Sequence, residues 1–312
     1  MMKNGLEPIG RKKVLLAGHF STIGDIESLE LVQEWLRELK VPYVVVPFSE
    51  SVRNKLSGSR DIQTVNPAEF SHLVMVCGPV WKDQLGELGF DLSKFQHCVR
   101  IGVNLTLITP LNIWNPFDVL LERDSDRGVR PDLTSGAPMK TVPVVVGRCM
   151  VRRQLSYEGR EKHDLARELF DRAIDRHDLA VLDLDTRWYR DQNGLKSPAQ
   201  FLAALQRVDL LLTNRLHGMV YALKAGVPVV AIDAIQGGAK VLAQAKAIGW
   251  PQCRAIDQIT PDWLDAAIEW CLSPQAQDVM AGCRQNIQPE LKKVKEAFMS
   301  AMSLAGERVG QK

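Results

Sequence analysis

Residues 208–240, VDLLLTNRLHGMVYALKAGVPVVAIDAIQGGAK, decide how this chain is built. Residues 208–212 are a continuous apolar run closed by the polar pair Thr213-Asn214, the pattern of a strand buried on both faces. An amphipathic helix follows and stops at Gly226; residues 228–232 are a second apolar run leading into a glycine-containing loop. Strand, helix and strand in this order predict a βαβ unit with parallel strands. Its first strand-to-helix corner carries Arg215 and His217. Ligands in open α/β sheets collect outside the carboxyl ends of the strands, and the free amides of a helix start favour anions. A guanidinium and an imidazole at such a corner predict an anion-handling site. The local alternative makes Asn214 a helix N-cap, Arg215 a solvated first-turn residue and His217 a structural histidine. A cation in the first turn opposes the helix dipole, a cost that a bound anion would remove.

The same alternation extends outward in both directions. Upstream, residues 144–147 read as a strand, 162–177 as an amphipathic helix through Leu165, Leu169, Ala173 and Ile174, 180–184 as a strand and 198–205 as a helix opened by Ser197-Pro198. Downstream, residues 239–248 predict a helix ended by Gly249, and 261–271 and 275–302 are helical. In the first half, apolar strands at 13–17 and 43–48 flank a helix over 26–40 with Leu29, Val32, Leu36 and Leu39 on one face. Further strands are expected at 72–77, 98–103 and 117–121. Between residues 124 and 143 the periodicity lapses and Gly, Pro and Ser gather, which marks a domain boundary. The expected fold is α/β with two Rossmann-like domains, residues 1–135 and 136–285, and a last helix, 286–312, packing back toward the first domain.

Composition narrows the function. The 312 residues carry 39 Lys+Arg against 37 Asp+Glu, a net charge of +2, which leaves no basic footprint for nucleic acid. No run reaches the roughly 18 apolar residues of a membrane-spanning helix. The start, MMKNGLEPIGRKK, lacks the apolar core of a secretory signal, so a cytoplasmic location is expected. Six scattered cysteines (Cys77, Cys98, Cys149, Cys253, Cys271 and Cys283) form no C-x-x-C pair; reduced thiols are expected and a metal cluster is not. The loop GHFSTIGD (18–25) departs from G-x-G-x-x-G, so no dinucleotide site is predicted. In that loop Asp25 either caps the following helix or faces a cleft between the domains, and His19 is either a plain loop residue or an acceptor contact.

The segment RLHGMVYALKAGVPVVAID (215–233) resembles the signature of the polysaccharide pyruvyl transferase family, whose members carry Arg-x-His at the start of this helix. ERDSDRGVRPD (122–132) is similar to the family's Arg-Asp-Ser stretch and later Pro-Asp, and Gly24-Asp25 to the end of its N-terminal glycine loop. The specific part of the resemblance spans 204–242. It implies two Rossmann-like domains facing each other across a cleft, as in B-type (GT-B) glycosyltransferases. It also implies transfer of pyruvate from phosphoenolpyruvate onto a sugar of a polysaccharide or its precursor, forming a ketal. In the family's pattern Arg215 and His217 contact phosphoenolpyruvate, with His217 as general acid. Arg148 matches a further donor-binding arginine, with Arg152 and Arg153 as alternatives, and Lys240 stands where the family often has a lysine after the next strand. Asp25, as contact or base, and His19 would face the acceptor. The family's loop has an asparagine near its start, in the region of His19, and Gly78-Pro79 replaces its glycine run. No metal or organic cofactor is implied. The resemblance implies a sugar or lipid-linked glycan acceptor of exopolysaccharide or cell-envelope biosynthesis, whether a lipid-linked repeat unit, a cell-wall polymer or a small glycan; a lipid-linked acceptor would place the protein at the inner membrane face without an anchor of its own. The rival readings are a nucleotide-sugar glycosyltransferase of the same architecture and a non-catalytic anion or glycan binder.

Overall fold

The computed structural model describes residues 13–151, 157, 159–188 and 194–303. The chain divides into two compact units, Met1–Lys140 and Thr141–Lys312. In the first, β1 (Val14–Gly18), α1 (Ile23–Glu38), β2 (Tyr43–Pro47), the short α2 (Glu50–Arg53), β3 (His72–Val80), the short α3 (Gln84–Glu87), β4 (Val99–Leu107) and β5 (Val119–Leu121) follow one another, and the two-residue β6 (Asp124–Ser125) and β7 (Gly128–Val129) form a terminal hairpin. The sheet order is β2-β1-β3-β4-β6-β7, with β5 also on β4 and only β6–β7 antiparallel. Strands β3 and β4 run past their expected ends because each supplies the other's backbone partners, in register from His72↔Val99 to Val80↔Leu107. The helix α1 starts at a capping box in which Thr22 and Asp25 satisfy each other's amides.

The second unit comprises β8 (Val145–Cys149), α4 (His163–Arg176), β9 (Ala180–Asp183), α5 (Pro198–Leu205), β10 (Leu210–Thr213), α6 (Leu216–Ala225), β11 (Val229–Asp233), α7 (Lys240–Ile248), β12 (Cys253–Ala255), α8 (Pro261–Cys271) and α9 (Pro274–Ser303). Its five strands are all parallel, in the order β12-β11-β10-β8-β9. Such a sheet is covered on both faces, and Leu210, Leu211, Leu212 and Val229 through Ile232 are accordingly inaccessible to water. Burying each large aliphatic side chain among them contributes about 1.5–3 kcal/mol. Strand β12 has no counterpart in the sequence reading: three residues with Arg254 at their centre show no apolar run, and they become a strand by pairing on the edge of β11. The chain order reverses between β8 and β10, and an open sheet of this winding forms its ligand crevice at that switch point. Helix α9 buries Ala276, Met280 and Cys283, whereas residues 288–302 are exposed. All six cysteines are buried free thiols. No helix among the described residues is long and apolar enough to cross a membrane.

Candidate functional site at the β8–β10 switch point

The corner after β10 is held by side chains that bind backbone. The Thr213 hydroxyl donates to the Cys149 carbonyl at 2.6 Å and accepts from the Arg215 amide at 3.0 Å, so it ties the exit of β10 to that of β8. Asn214 is not the helix cap; Arg215 occupies that position, and the Asn214 side-chain oxygen instead accepts the Val151 amide at 2.6 Å. Helix α6 therefore begins directly over the switch point. Gly218 permits this closeness, because a Cβ there would lie 2.5 Å from the Thr213 hydroxyl oxygen. Just over two turns later Gly226, at φ 78°, closes the helix in the left-handed conformation glycine adopts without strain.

Arg215 is drawn across the crevice. Its Nε donates to the Met150 carbonyl at 2.9 Å, Nη1 reaches Thr186 at 3.4 Å, and Nη2 lies 3.4 Å from Asp185. Burial would raise the Asp185 pKa, but hydrogen bonds from Arg187 and the Arg215 charge hold it below the usual carboxylate range. His217, the second residue of α6, is exposed. It lines a pocket of about 460 Å³ with Asp185, Thr186, Lys196, Phe201 and Tyr221. A larger pocket, about 940 Å³, lies at the opposite, amino end of the strands, around Val144, Val208 and Pro228. None of the candidate site residues borders that second pocket, and the carboxyl ends are where such sheets bind ligands.

The remaining candidate cations separate. Lys240 opens α7 after the loop from β11, whose Asp233 carboxylate accepts the amides of Ile235, Ala239 and Leu242. Arg148 does not join the corner. Consecutive residues of a strand point to opposite faces: Cys149 lies against Gly218 of α6, and Arg148 meets α4. Its guanidinium is committed to Asp183 through Nε and Nη2, at 2.8 and 2.9 Å, and to Asp171 through Nη1 at 2.6 Å. These carboxylates raise its pKa and keep it charged, and they occupy the donors a ligand would need. Arg152 and Arg153 lie outside the described residues.

The structure adds His163, which the sequence reading passed over as part of a helix. It is the first residue of α4, 9% exposed, with Nδ1 3.3 Å from the Asn214 amide nitrogen and with Nε2 buried and without a partner among the described residues. It lies within electrostatic reach of both Arg215 and Lys240. Histidine at a helix start after a strand-end loop was the available signal; its neighbour Asn214 is 51 positions away.

In the first unit, His19 lies in the loop between β1 and α1 and Asp25 in the first turn of α1, at that sheet's own reversal between β1 and β3. One Asp25 oxygen accepts the Ser21 and Thr22 amides at 3.1 and 3.0 Å, so the carboxylate serves as the cap of α1. Although burial opposes it, hydrogen bonds from Cys77 and Thr22 lower the Asp25 pKa. His19 stands edge-on to Phe48, with Nε2 3.1 Å from the Gln84 amide, and burial lowers its pKa despite the nearby Asp25 charge.

With this geometry in place, the comparison with known families is direct. Residues 150–234 match the polysaccharide pyruvyl transferase family. The matched span begins just after β8 and ends just after β11, so it contains His163, Asp185, Asn214, Arg215 and His217, while Arg148, Lys240 and the first unit fall outside it. No curated protein matches the chain. Among solved structures, the glycosyltransferase of kitacinnamycin is 13% identical, with 89% of this chain and 95% of that one covered at a TM-score of 0.33. UDP-GlcNAc 2-epimerase from Methanocaldococcus jannaschii is 10% identical over 84% of this chain and 93% of its own, at 0.30. The spinosyn forosaminyltransferase SpnP is 13% identical over 90% and 98%, at 0.31. Similarities of this size assign no activity.

Proposed function

We propose that the second unit binds phosphoenolpyruvate at the β8–β10 switch point and that the protein transfers its pyruvate portion onto two hydroxyls of a sugar. The observation that carries this reading is the placement of Arg215 and His217 at the start of α6, over the crevice, inside the span that matches the pyruvyl transferase family. The donor is a dianionic or trianionic molecule with a phosphoryl group and a carboxylate. Arg215, whose Nη1 and Nη2 contacts to Thr186 and Asp185 are long at 3.4 Å, can turn those donors to either group, and Lys240 supplies a point charge at the start of the neighbouring helix. Arg148 is a strut between β9 and α4 in this account and takes no part in donor binding.

The chemistry requires a proton, two additions at C2 and one departure. His217 protonates the methylene carbon, which becomes methyl, and positive charge develops at C2. The first sugar hydroxyl adds there and gives up its proton, which restores the histidine's. Phosphate then leaves from C2 with its bonding electrons, and the second hydroxyl adds and releases its proton, closing the ketal. General-acid help of this kind contributes roughly 100- to 10,000-fold. The exposure of His217 on a pocket wall leaves room for an acceptor beside it. Asp25 and His19 are proposed on the acceptor side, with Asp25 as a contact and not a base, since its oxygen is engaged in the cap. A glycan borne on a lipid would bring the protein to the inner face of the cytoplasmic membrane.

The test is product formation. With labelled phosphoenolpyruvate and a panel of oligosaccharide acceptors, phosphate release and a ketal methyl signal are expected together, and both should be lost in His217→Ala. Turnover by His217→Ala at the wild-type rate would remove the acid from the scheme. Turnover of nucleotide sugars and not phosphoenolpyruvate would replace the reaction.

A further inference from the structure

His163 carries a feature the proposed chemistry does not use. Its protonation state follows from a chain of hydrogen bonds beginning at the backbone. The Val151 amide can only donate, so the atom of Asn214 that meets it at 2.6 Å is the amide oxygen. The other end of that amide, an NH2 group, is thereby turned to His163 Nδ1 at 3.3 Å. An NH2 group also only donates, so Nδ1 must accept, and the ring is neutral with its proton on Nε2. Burial, the largest influence on the ring, lowers its pKa in agreement; Glu161 and Asp164 oppose this, and Lys240 and Arg215 reinforce it.

The Nε2–H that results is shielded from water and has no partner among the described residues. An unsatisfied buried donor is a net cost to folding that an apolar ring of the same shape would avoid. The surroundings select what could satisfy it. The Lys162 amide donates to the Ala234 carbonyl at 2.8 Å, which docks the start of α4 on the exit of β11. The starts of α4, α6 and α7 thus gather at one end of the sheet, bearing His163, Arg215 and Lys240. The N-cap residue Lys162 makes no side-chain cap at the start of α4, and helix starts and two cations together favour an anionic oxygen. A neutral imidazole adds a donor there without adding a charge.

We infer that His163 is a neutral hydrogen-bond donor to the anion bound at this corner, its Nε2–H completing the set formed by Arg215 and Lys240. The inference rests on the reading of the corner as a phosphoenolpyruvate site and names a phosphoryl or carboxylate oxygen as the acceptor.

Inorganic phosphate is the probe, with the full chain and three variants: His163→Gln, which keeps an NH2 near the Nε2 position, His163→Phe, which keeps the ring and removes the donor, and Arg215→Lys as the site control. Thermal melting against phosphate concentration should show His163→Gln near wild type and His163→Phe weakened about tenfold, the scale of one hydrogen bond to a charged acceptor. Without phosphate, His163→Phe should melt close to wild type, since it removes the unsatisfied Nε2–H but leaves the Asn214 NH2 group without its acceptor. Nitrogen-15 NMR should find the His163 proton on Nε2 and shift its resonance downfield as phosphate is added. If Arg215→Lys weakens phosphate and His163→Phe does not, the His163 role is wrong and the donor site stands. If wild type itself gains no stability from phosphate, this inference and the donor site fall together. A proton found on Nδ1 would also overturn it.

Discussion

Gly218→Ala tests the packing that sets Arg215 and His217 over the crevice. The added Cβ would lie 2.5 Å from the Thr213 hydroxyl oxygen, well inside the 3.0 Å below which side-chain carbons are not found. That oxygen cannot turn aside freely, being fixed by the Cys149 carbonyl and the Arg215 amide. Either α6 lifts from the sheet, an overpacking strain of about 1–3 kcal/mol, or Thr213 gives up two hydrogen bonds worth about 0.5–1.5 kcal/mol each. Replacing a helical glycine by alanine returns about 1 kcal/mol. The net expectation is a loss of about 1 kcal/mol, or about 2–4 °C in melting temperature for a unit of this size. Thr213→Ala alone should cost about 1–2 kcal/mol through its lost buried hydrogen bonds. In that background the nearest remaining atoms are the residue-213 Cβ at 3.3 Å and Cys149 Sγ at 3.4 Å, so Gly218→Ala should become nearly neutral. Calorimetry on the two single variants and the double variant gives the coupling directly. Additive losses, or a Gly218→Ala protein as stable as wild type, would refute the packing argument.

Arg148→Met should cost about 1 kcal/mol, the scale of partly exposed ion pairs, and leave the affinity for phosphoenolpyruvate unchanged; a large affinity loss by titration calorimetry would return Arg148 to the donor site. Asp233→Asn replaces a buried carboxylate that accepts three backbone amides, so about 1.5–3 kcal/mol is expected to be lost. Phosphoenolpyruvate binding should weaken with it as the start of α7 and Lys240 loosen, and unchanged binding by calorimetry would detach Lys240 from the site. In the first unit, burial alone would raise the Asp132 pKa, but hydrogen bonds from Arg123, Thr134 and Asn104 hold it at about 2. A carboxylate lowered on folding contributes stability above its unfolded value, near 3.8, and loses it as pH falls toward about 2. Asp132→Asn should therefore be less stable than wild type at neutral pH, and the gap should close between about pH 4 and 2 in urea titrations.

The βα alternation and the α6 corner were legible because both are local: apolar runs, helical periodicity and Gly226 lie within a few residues of what they determine. The extension of β3 and β4 and the existence of β12 were not, because partner strands create them. The same limit governs the site. Arg148 looks like a free cation in sequence, yet its carboxylates stand 23 and 35 positions away. Asn214 has the composition of a cap, but its oxygen is claimed by the Val151 amide, 63 positions distant. For Asp25, by contrast, the capping role is a three-residue pattern with Thr22, and the structure contains it.

The central claim, that the α6 corner holds phosphoenolpyruvate, is tested most directly by melting wild type and Arg215→Lys with and without millimolar phosphoenolpyruvate. A ligand at a hundred times its dissociation constant stabilises by about 2.7 kcal/mol, a shift of several degrees. Clear stabilisation of wild type that is lost or strongly reduced in a folded Arg215→Lys protein is the predicted result. No stabilisation of wild type, or equal stabilisation of both proteins, would contradict it.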